Sequence, residues 1–483
     1  MPEPFAVALP KFEFGKFFIH KLKDNRSLLI TDLGRIAVLS QEEFTAMQRS
    51  EFSEQLFKKL EQAHIIATEK NRPKMVEDYR LRFGHVCEGV SLHIVNPTMR
   101  CNQNCLYCYA NSKPLESKGF AEGEFPKAFS AEKGFDMDLE TAKKIVDFAW
   151  QSPSKGIVIE FQGGEPLANF PIIEYIVNYA KEKKGKNVHW RLVSNLTLMD
   201  GTIASFLQKN EIFDLCTSLD GQKEVHDKNR PMAKGSSHAK TVYWIERLQK
   251  EFGFKNLGAL CTVTKNSLPF AKEIVDSYAA LGFHDITLVP LRKIGLAAKN
   301  WEKIGYGPEQ YLSFWKQAVE YCIQLSRQGR QISEQIAALS LAKMNRVEPS
   351  HHTCFSKPCG AALMQCSYQP NGDIFSCDEA KAVPIFRIGN VEQTYKQVFT
   401  SPEALNIVSL STSLGFACNE CKFTGFCRLC PAMIYSTQGN LVPKLAFDEE
   451  CKTKKAQFEF LLEKLFSTDA KILQSWLGGK GGN

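Results

Sequence analysis

No apolar run in this 483-residue chain approaches the roughly 20 residues that a membrane-spanning helix needs. The N-terminal stretch MPEPFAVALPKFEFGKFF lacks the basic start, apolar middle and small-residue cleavage site of a secretory signal. No solenoid-type repeat, low-complexity tract or long Lys/Arg run occurs, and the net charge of +7 is mild for this length. These absences argue against a membrane partner and a nucleic-acid partner. They leave a cytoplasmic protein of two or three domains as the expectation.

Cysteine, by contrast, is abundant: the chain has 16. Without a secretory signal a disulfide framework is not expected, so cysteines at short spacing point to metal. Cys101, Cys105 and Cys108 crowd into eight residues. Cys354, Cys359, Cys366, Cys377, Cys418, Cys421, Cys427, Cys430 and Cys451 fall in the last third. Cys87, Cys216, Cys261 and Cys322 stand among apolar neighbours and read as small core residues.

Residues 1–85 read as a small N-terminal α+β module. FFIHKL, SLLITD and RIAVLS have strand character, and Ser40 has the makings of a helix N-cap before QEEFTAMQ. Such a module would be winged-helix-like or peptide-recognising. Over 88–300, VSLHIVN, IVIEFQ, VHWRLVSN, FDLCTSLD, GALCTVT and DITLVPL alternate with amphipathic stretches such as LETAKKIVDFAWQ. Six βα units predict an α/β fold with a parallel sheet closing into a partial (β/α)6 TIM-like barrel, with chemistry at the C-terminal strand ends. Residues 301–349 read as a helical linker, 350–455 as a Cys-rich domain folded around metal, and 456–483 as a closing helix and tail.

Three thiolates on a [4Fe–4S] cluster leave one iron open to bind and activate a second molecule. The spacing Cys101-x3-Cys105-x2-Cys108 fits that use; a zinc site completed by another ligand such as His93 is the alternative. The strand-like IVIEF runs into Gln162-Gly163-Gly164-Glu165-Pro166, where glycines would let backbone approach a ligand and Glu165 could accept from an ammonium. With Tyr107 before its third cysteine, the triplet resembles the signature of the radical S-adenosylmethionine (SAM) superfamily. That resemblance implies a [4Fe–4S] cluster binding S-adenosyl-L-methionine, held by Tyr107, Gln162, Gly163, Gly164, Glu165 and Pro166, with Ser194 and Asn195 near the ribose. It also assigns Ser218 and Arg230 to the cofactor; Arg is a suitable fork for a carboxylate.

The tail, Cys359-x12-Gly372-x4-Cys377 followed by Cys418-x2-Cys421-x5-Cys427-x2-Cys430 and Cys451, resembles the SPASM extension of peptide-modifying radical enzymes. That extension carries two auxiliary [4Fe–4S] clusters. The resemblance assigns Cys359, Cys377 and Cys430, with Cys354 or Cys366, to the first. Cys418, Cys421, Cys427 and Cys451 go to the second. The family commonly has three residues between the last paired cysteines, where this chain has two. Two structural zinc ribbons are the alternative. Asp378 stands where sulfatase-maturing relatives carry a general base.

The phrases FDMDLETA, IEFQGGEPLANF, SYQPNGDIFSCDEA and CKFTGFCRLCP resemble maturases of the His-Xaa-Ser peptide system. An oxidoreductase that cross-links side chains of a ribosomally made peptide is the activity implied. Its partners would be that peptide or protein and an electron donor such as a flavodoxin or ferredoxin. Two other readings stand beside it: a sulfatase-type maturase oxidising Ser or Cys to formylglycine, and a non-catalytic zinc or iron–sulfur protein.

Overall fold

The structure, a computed structural model, describes residues 11–115, 134–212, 214–345, 353–354, 356–381, 383–412 and 418–478, apart from the side chains of His85 and Cys87. The first ten residues, part of the stretch read for a secretory signal, lie outside the described residues.

The N-terminal unit pairs β1 (Phe12–Phe14) with β5 (Ile66–Thr68) and β2 (Phe17–Lys21) with β3 (Ser27–Thr31) and β4 (Ile36–Leu39), all antiparallel. Ser40 caps helix Gln41–Gln48 in a reciprocal box with Glu43, satisfying two otherwise orphaned donors. Leu29, Leu39, Phe44 and Leu60 are buried in a core of their own. Helix Arg72–Phe83 leads out, and its Arg82 donates to the carbonyl of Gly425 in the Cys-rich tail.

β6 (Leu92–Val95), β9 (Gly156–Phe161), β10 (Asn187–Val193), β11 (Asp214–Ser218), β12 (Leu257–Val263) and β13 (Asp285–Pro290) form one parallel run in that spatial order. These are the six strands expected, and the α/β barrel-type fold with them. Alternation along each strand separates two faces. Ile157, Ile159 and Phe161 of β9 are buried with the helices Leu139–Ala149 and Phe170–Glu182, Phe161 stacking on Trp190 at 5.9 Å between ring centres. Each such side chain contributes about 1.5–3 kcal/mol. Val158 and Glu160 face the other way and stay half-buried.

The sheet runs further than the six strands. A short β14 (Ser333–Glu334) extends it beyond β13. At the other edge β15 (Gln365–Tyr368) pairs in parallel with β6 and carries β16 (Asp373–Phe375) and β17 (Arg387–Asn390) antiparallel. The tail therefore shares one ten-stranded sheet with the barrel. Its strand was not evident from sequence because all four residues of Gln365–Tyr368 are buried, leaving no alternation to read. Two two-residue strands, β7 (Arg100–Cys101) and β8 (Lys113–Pro114), bracket the first cysteine loop.

Candidate active site

The cysteine loop leaves β6 and returns across the C-terminal rim of the barrel. Backbone bonds fix it along its length: Asn104 and Leu106 N–H donate to the carbonyls of Pro231 and Asn229 at 2.9 Å, and Leu296 N–H donates to Cys108 at 2.8 Å. The Gln103 N–H points at Cys101 Sγ, 3.4 Å away, and Asn195 Nδ2 at the same sulfur from 3.8 Å. The three thiols lie close enough to couple. Burial first, then the charges of Cys105 and Cys108, push the Cys101 thiol well above its ordinary pKa. Burial pushes Cys105 up to about 11.

The Gln162–Pro166 turn follows β9. Gly163 has φ +125°, and a Cβ there would sit 2.3 Å from the Thr98 carbonyl oxygen; at Gly164 it would sit 2.2 Å from that of Arg100. The glycines thus let this turn lie against the backbone leading into Cys101, with Gly164 and Glu165 N–H donating to Thr98 and Arg100 at 2.9 and 2.8 Å. Sequence reasoning assigned that space to a ligand; here loop-to-loop packing fills it. Glu165 is 1% exposed and accepts from Ser194 Oγ (2.7 Å) and the Asn195 N–H (2.8 Å). Burial lifts its carboxyl to about 7.

Ser218 ends β11 on the same rim, half-buried. Arg230 is buried, its Nη1 donating to the Tyr107 hydroxyl at 2.7 Å and its guanidinium 5.8 Å from the Tyr107 ring centre. That hydroxyl donates to Asp220 at 2.8 Å, so the aromatic before the third cysteine is clamped between a buried acid and a buried base. Arg230 Nε is buried with no partner among the described residues.

Asp378 reaches the rim from the tail. Its carboxylate accepts from the Tyr109 hydroxyl and from Lys381 Nζ at 2.6 Å, and Lys381 also donates to Asn96 Oδ1 at 3.3 Å. Tyr109 lies 3.2 Å from Gln162 Oε1, while Gln162 Nε2 donates to Glu160. Gln162 thereby joins the Asp378 group rather than Glu165 and Ser194. Burial, then Asp378, raises the Tyr109 phenol well above its usual range.

The tail thiols fall into two sets. Cys377 is raised by burial and by the charges of Cys430, Cys359 and Cys354. Cys418 is pushed to about 11 by burial and then by Cys427, Cys451 and Cys421. Cys366 belongs to neither set. It is fully buried in β15, 3.8 Å from His93 Nδ1 and beside Tyr368. Among the described residues no three Cys, His, Asp or Glu side chains close around the volume of a single ion. Of the four scattered cysteines, Cys261 and Cys322 are buried and Cys216 is partly so.

Residues 95–269 match the Radical SAM superfamily. The chain thus carries a stretch of radical SAM type. It is 31% identical over 205 residues to an uncharacterized protein of Methanocaldococcus jannaschii, a match covering 41% of this chain and 62% of that one, less than two thirds of its length. It is 23% identical over 352 residues to a cysteine-type anaerobic sulfatase-maturating enzyme of Clostridium novyi, covering 71% and 87%. In fold it resembles anSMEcpe with bound AdoMet, with a TM-score of 0.64, 21% identity and coverage of 80% and 98%; the same protein is also solved with AdoMet and Kp18Cys peptide. No helix among the described residues is long and apolar enough to cross a membrane.

The match to this superfamily implies a [4Fe–4S] cluster and SAM. The barrel's rim suits both: three mutually coupled thiols on a preformed loop, a buried carboxyl at the strand ends, and a guanidinium nitrogen lacking an acceptor among the described residues. Sequence reasoning missed Tyr109, Lys381, Glu160 and Asp220. Tyr109 adjoins Cys108, and Asp220 lies inside Ser218–Gly221, so their positions were in view. What the sequence did not display was the return of the tail to the barrel, which gives those neighbours their partners.

Proposed function

We propose that this protein is a radical SAM enzyme that modifies a side chain of a ribosomally made peptide or protein in the cytoplasm, removing hydrogen from a side-chain carbon and closing a cross-link. The observation that supports this best is the Asp378 group. A carboxylate oriented by Tyr109 and Lys381 stands beside the cysteine loop, where a general base must be to take a substrate proton. The peptide substrate is supported by the relatives' chemistry, and the cross-link by the resemblance to His-Xaa-Ser maturases.

Cys101, Cys105 and Cys108 would hold the catalytic cluster. Glu165, with Ser194 and Asn195 around it, would take the cofactor's amino end, and Arg230 its carboxylate. When bound, cluster and SAM supply a 5′-deoxyadenosyl radical. The surrounding residues orient the cofactor and keep water away, while Tyr107, locked on Asp220 and Arg230, holds the loop in register. Cys354, Cys359, Cys377 and Cys430 would hold one auxiliary [4Fe–4S] cluster, and Cys418, Cys421, Cys427 and Cys451 a second. A flavodoxin or ferredoxin would exchange electrons with the enzyme.

Anaerobic co-expression with short peptides encoded beside its gene, followed by accurate mass and fragmentation, tests the reading. Loss of two hydrogens with fragmentation blocked between two residues is expected. Loss of two hydrogens from Ser, or that loss with sulfur replaced by oxygen at Cys, and normal fragmentation would establish formylglycine formation instead. Cys105→Ala should abolish deoxyadenosine production. Asp378→Asn should keep deoxyadenosine production while cutting peptide product by about 100-fold or more.

A further inference from the structure

Arg428 lies between Cys427 and Cys430 and is 6% exposed. Its Nε donates to the carbonyl of Cys354 at 2.5 Å, its Nη2 to the same oxygen, and its Nη1 to Leu429 O at 3.4 Å and to Cys359 Sγ at 3.6 Å. One guanidinium thus ties the backbone of Cys354 to the sulfur of Cys359, reaching them from 74 and 69 residues further along the chain. Among the described residues it forms no ion pair. The nearby acids are engaged elsewhere: Glu450 binds Lys454 Nζ at 2.6 Å and the Cys430 N–H at 3.1 Å, and Glu379 pairs with Arg292.

A buried cation without a countercharge costs several kcal/mol. The negative charge available to Arg428 is that of the thiols it borders: Cys359, Cys430 and Cys354 are among its electrostatic neighbours, with Glu450. Arg292, arriving from the end of β13, borders Cys430 and Cys354 too. Hydrogen bonds to sulfur and local charge are the protein's levers on an iron–sulfur potential. A fixed cation favours the more negative, reduced form.

We infer that Arg428, backed by Arg292, is the built-in countercharge of the first tail cluster and raises its reduction potential. The inference rests on the proposal that Cys354, Cys359, Cys377 and Cys430 hold a [4Fe–4S] cluster. Arg428 is a positioning residue here: it acts through the ligands, without touching substrate.

The test uses the full chain carrying Cys101→Ala, Cys105→Ala and Cys108→Ala, so that all remaining iron belongs to the tail. After anaerobic reconstitution, iron and zinc are assayed and the clusters titrated potentiometrically with EPR detection. Arg428→Gln should shift one of two potentials downward by at least a tenfold change in the reduced-to-oxidised ratio, 59 mV for one electron, with the other unmoved. Arg428→Lys, which keeps the charge, should recover most of that shift. Iron for two clusters with both potentials unchanged in Arg428→Gln would overturn the inference, as would equal shifts in the Lys and Gln variants. Should Arg428→Gln not take up iron, Arg292→Gln must lower the same potential, and no shift there overturns it. Zinc in place of iron would remove the cluster assignment itself, and the inference with it.

Discussion

The cysteines of the barrel rim and those of the tail are held in opposite ways. Cys101–Cys108 sits on a loop whose backbone is bonded to Pro231, Asn229 and Leu296, elements that fold without reference to the thiols. The loop from Cys418 to Cys430 has local turns of its own, such as Cys421 to Cys418 (3.2 Å) and Cys427 to Phe423 (2.9 Å). Among its further ties are side chains reaching its carbonyls: Arg82 to Gly425, Lys343 to Phe426 at 3.3 Å, Lys357 to Thr424, and Lys454 to Arg428 at 2.5 Å. A ring of cations around thiols is favourable when the thiols are ionised and bound, and costly when they are neutral. On the proposed reading the barrel site is a preformed socket, and the tail clusters are part of what folds the tail.

Removing iron should therefore break the two regions unequally. Chelation is expected to leave residues 92–290 resistant to limited proteolysis while cuts accumulate between 418 and 451, with melting split into two steps. Metal linkage in the tail is worth on the order of several kcal/mol. Uniform loss of protection would mean that the shared ten-stranded sheet couples the regions more tightly than their ligands separate them.

A smaller perturbation separates ligand from filler inside the tail. Cys354→Ala should lose the iron of one cluster. Cys366→Ala should keep full iron and cost roughly 1–2 kcal/mol for a small core cavity, read from denaturant midpoints. The reverse result would place the fourth ligand in β15, beside His93.

The two residues also mark how far sequence carries. Spacing grouped the cysteines, and SLHIVN, IVIEF and their successors gave the six strands because each is apolar, bounded and followed by an amphipathic helix. Spacing could not choose between Cys354 and Cys366, since both lie near Cys359 in the chain. The proposal of Cys354 rests on Cys366 being buried in β15, which pairs with β6. Tyr109 was invisible for the same reason: its meaning depends on Asp378 arriving from 269 residues away, with Lys381 close behind it in the chain. Gly163 and Gly164 were readable as special, but the neighbour that demands them was not.

A last effect lies at the barrel's own edge and should be indifferent to the tail. Glu334, in β14, is fully buried and accepts from Trp315 Nε1 (2.9 Å) and from the N–H groups of Ala337 (2.7 Å), Leu288 (3.2 Å) and Ile336 (3.2 Å). Burial, opposed by those donors, lifts its carboxyl from 4.5 to about 7. A carboxyl raised on folding binds more proton in the folded than in the unfolded chain between those values, so stability falls as pH rises through that window and is flat outside it. The fall amounts to about 3 kcal/mol. Glu334→Gln should abolish that slope, and it should cost stability at every pH because its NH2 group meets N–H donors where an oxygen stood. Urea unfolding followed by tryptophan fluorescence, at pH 4.5 and 7.5 with and without iron, is the measurement. The same slope in both iron states would place the effect in the barrel alone, and a slope that survives Glu334→Gln would have to come from another buried carboxyl, of which Glu165 is the first candidate.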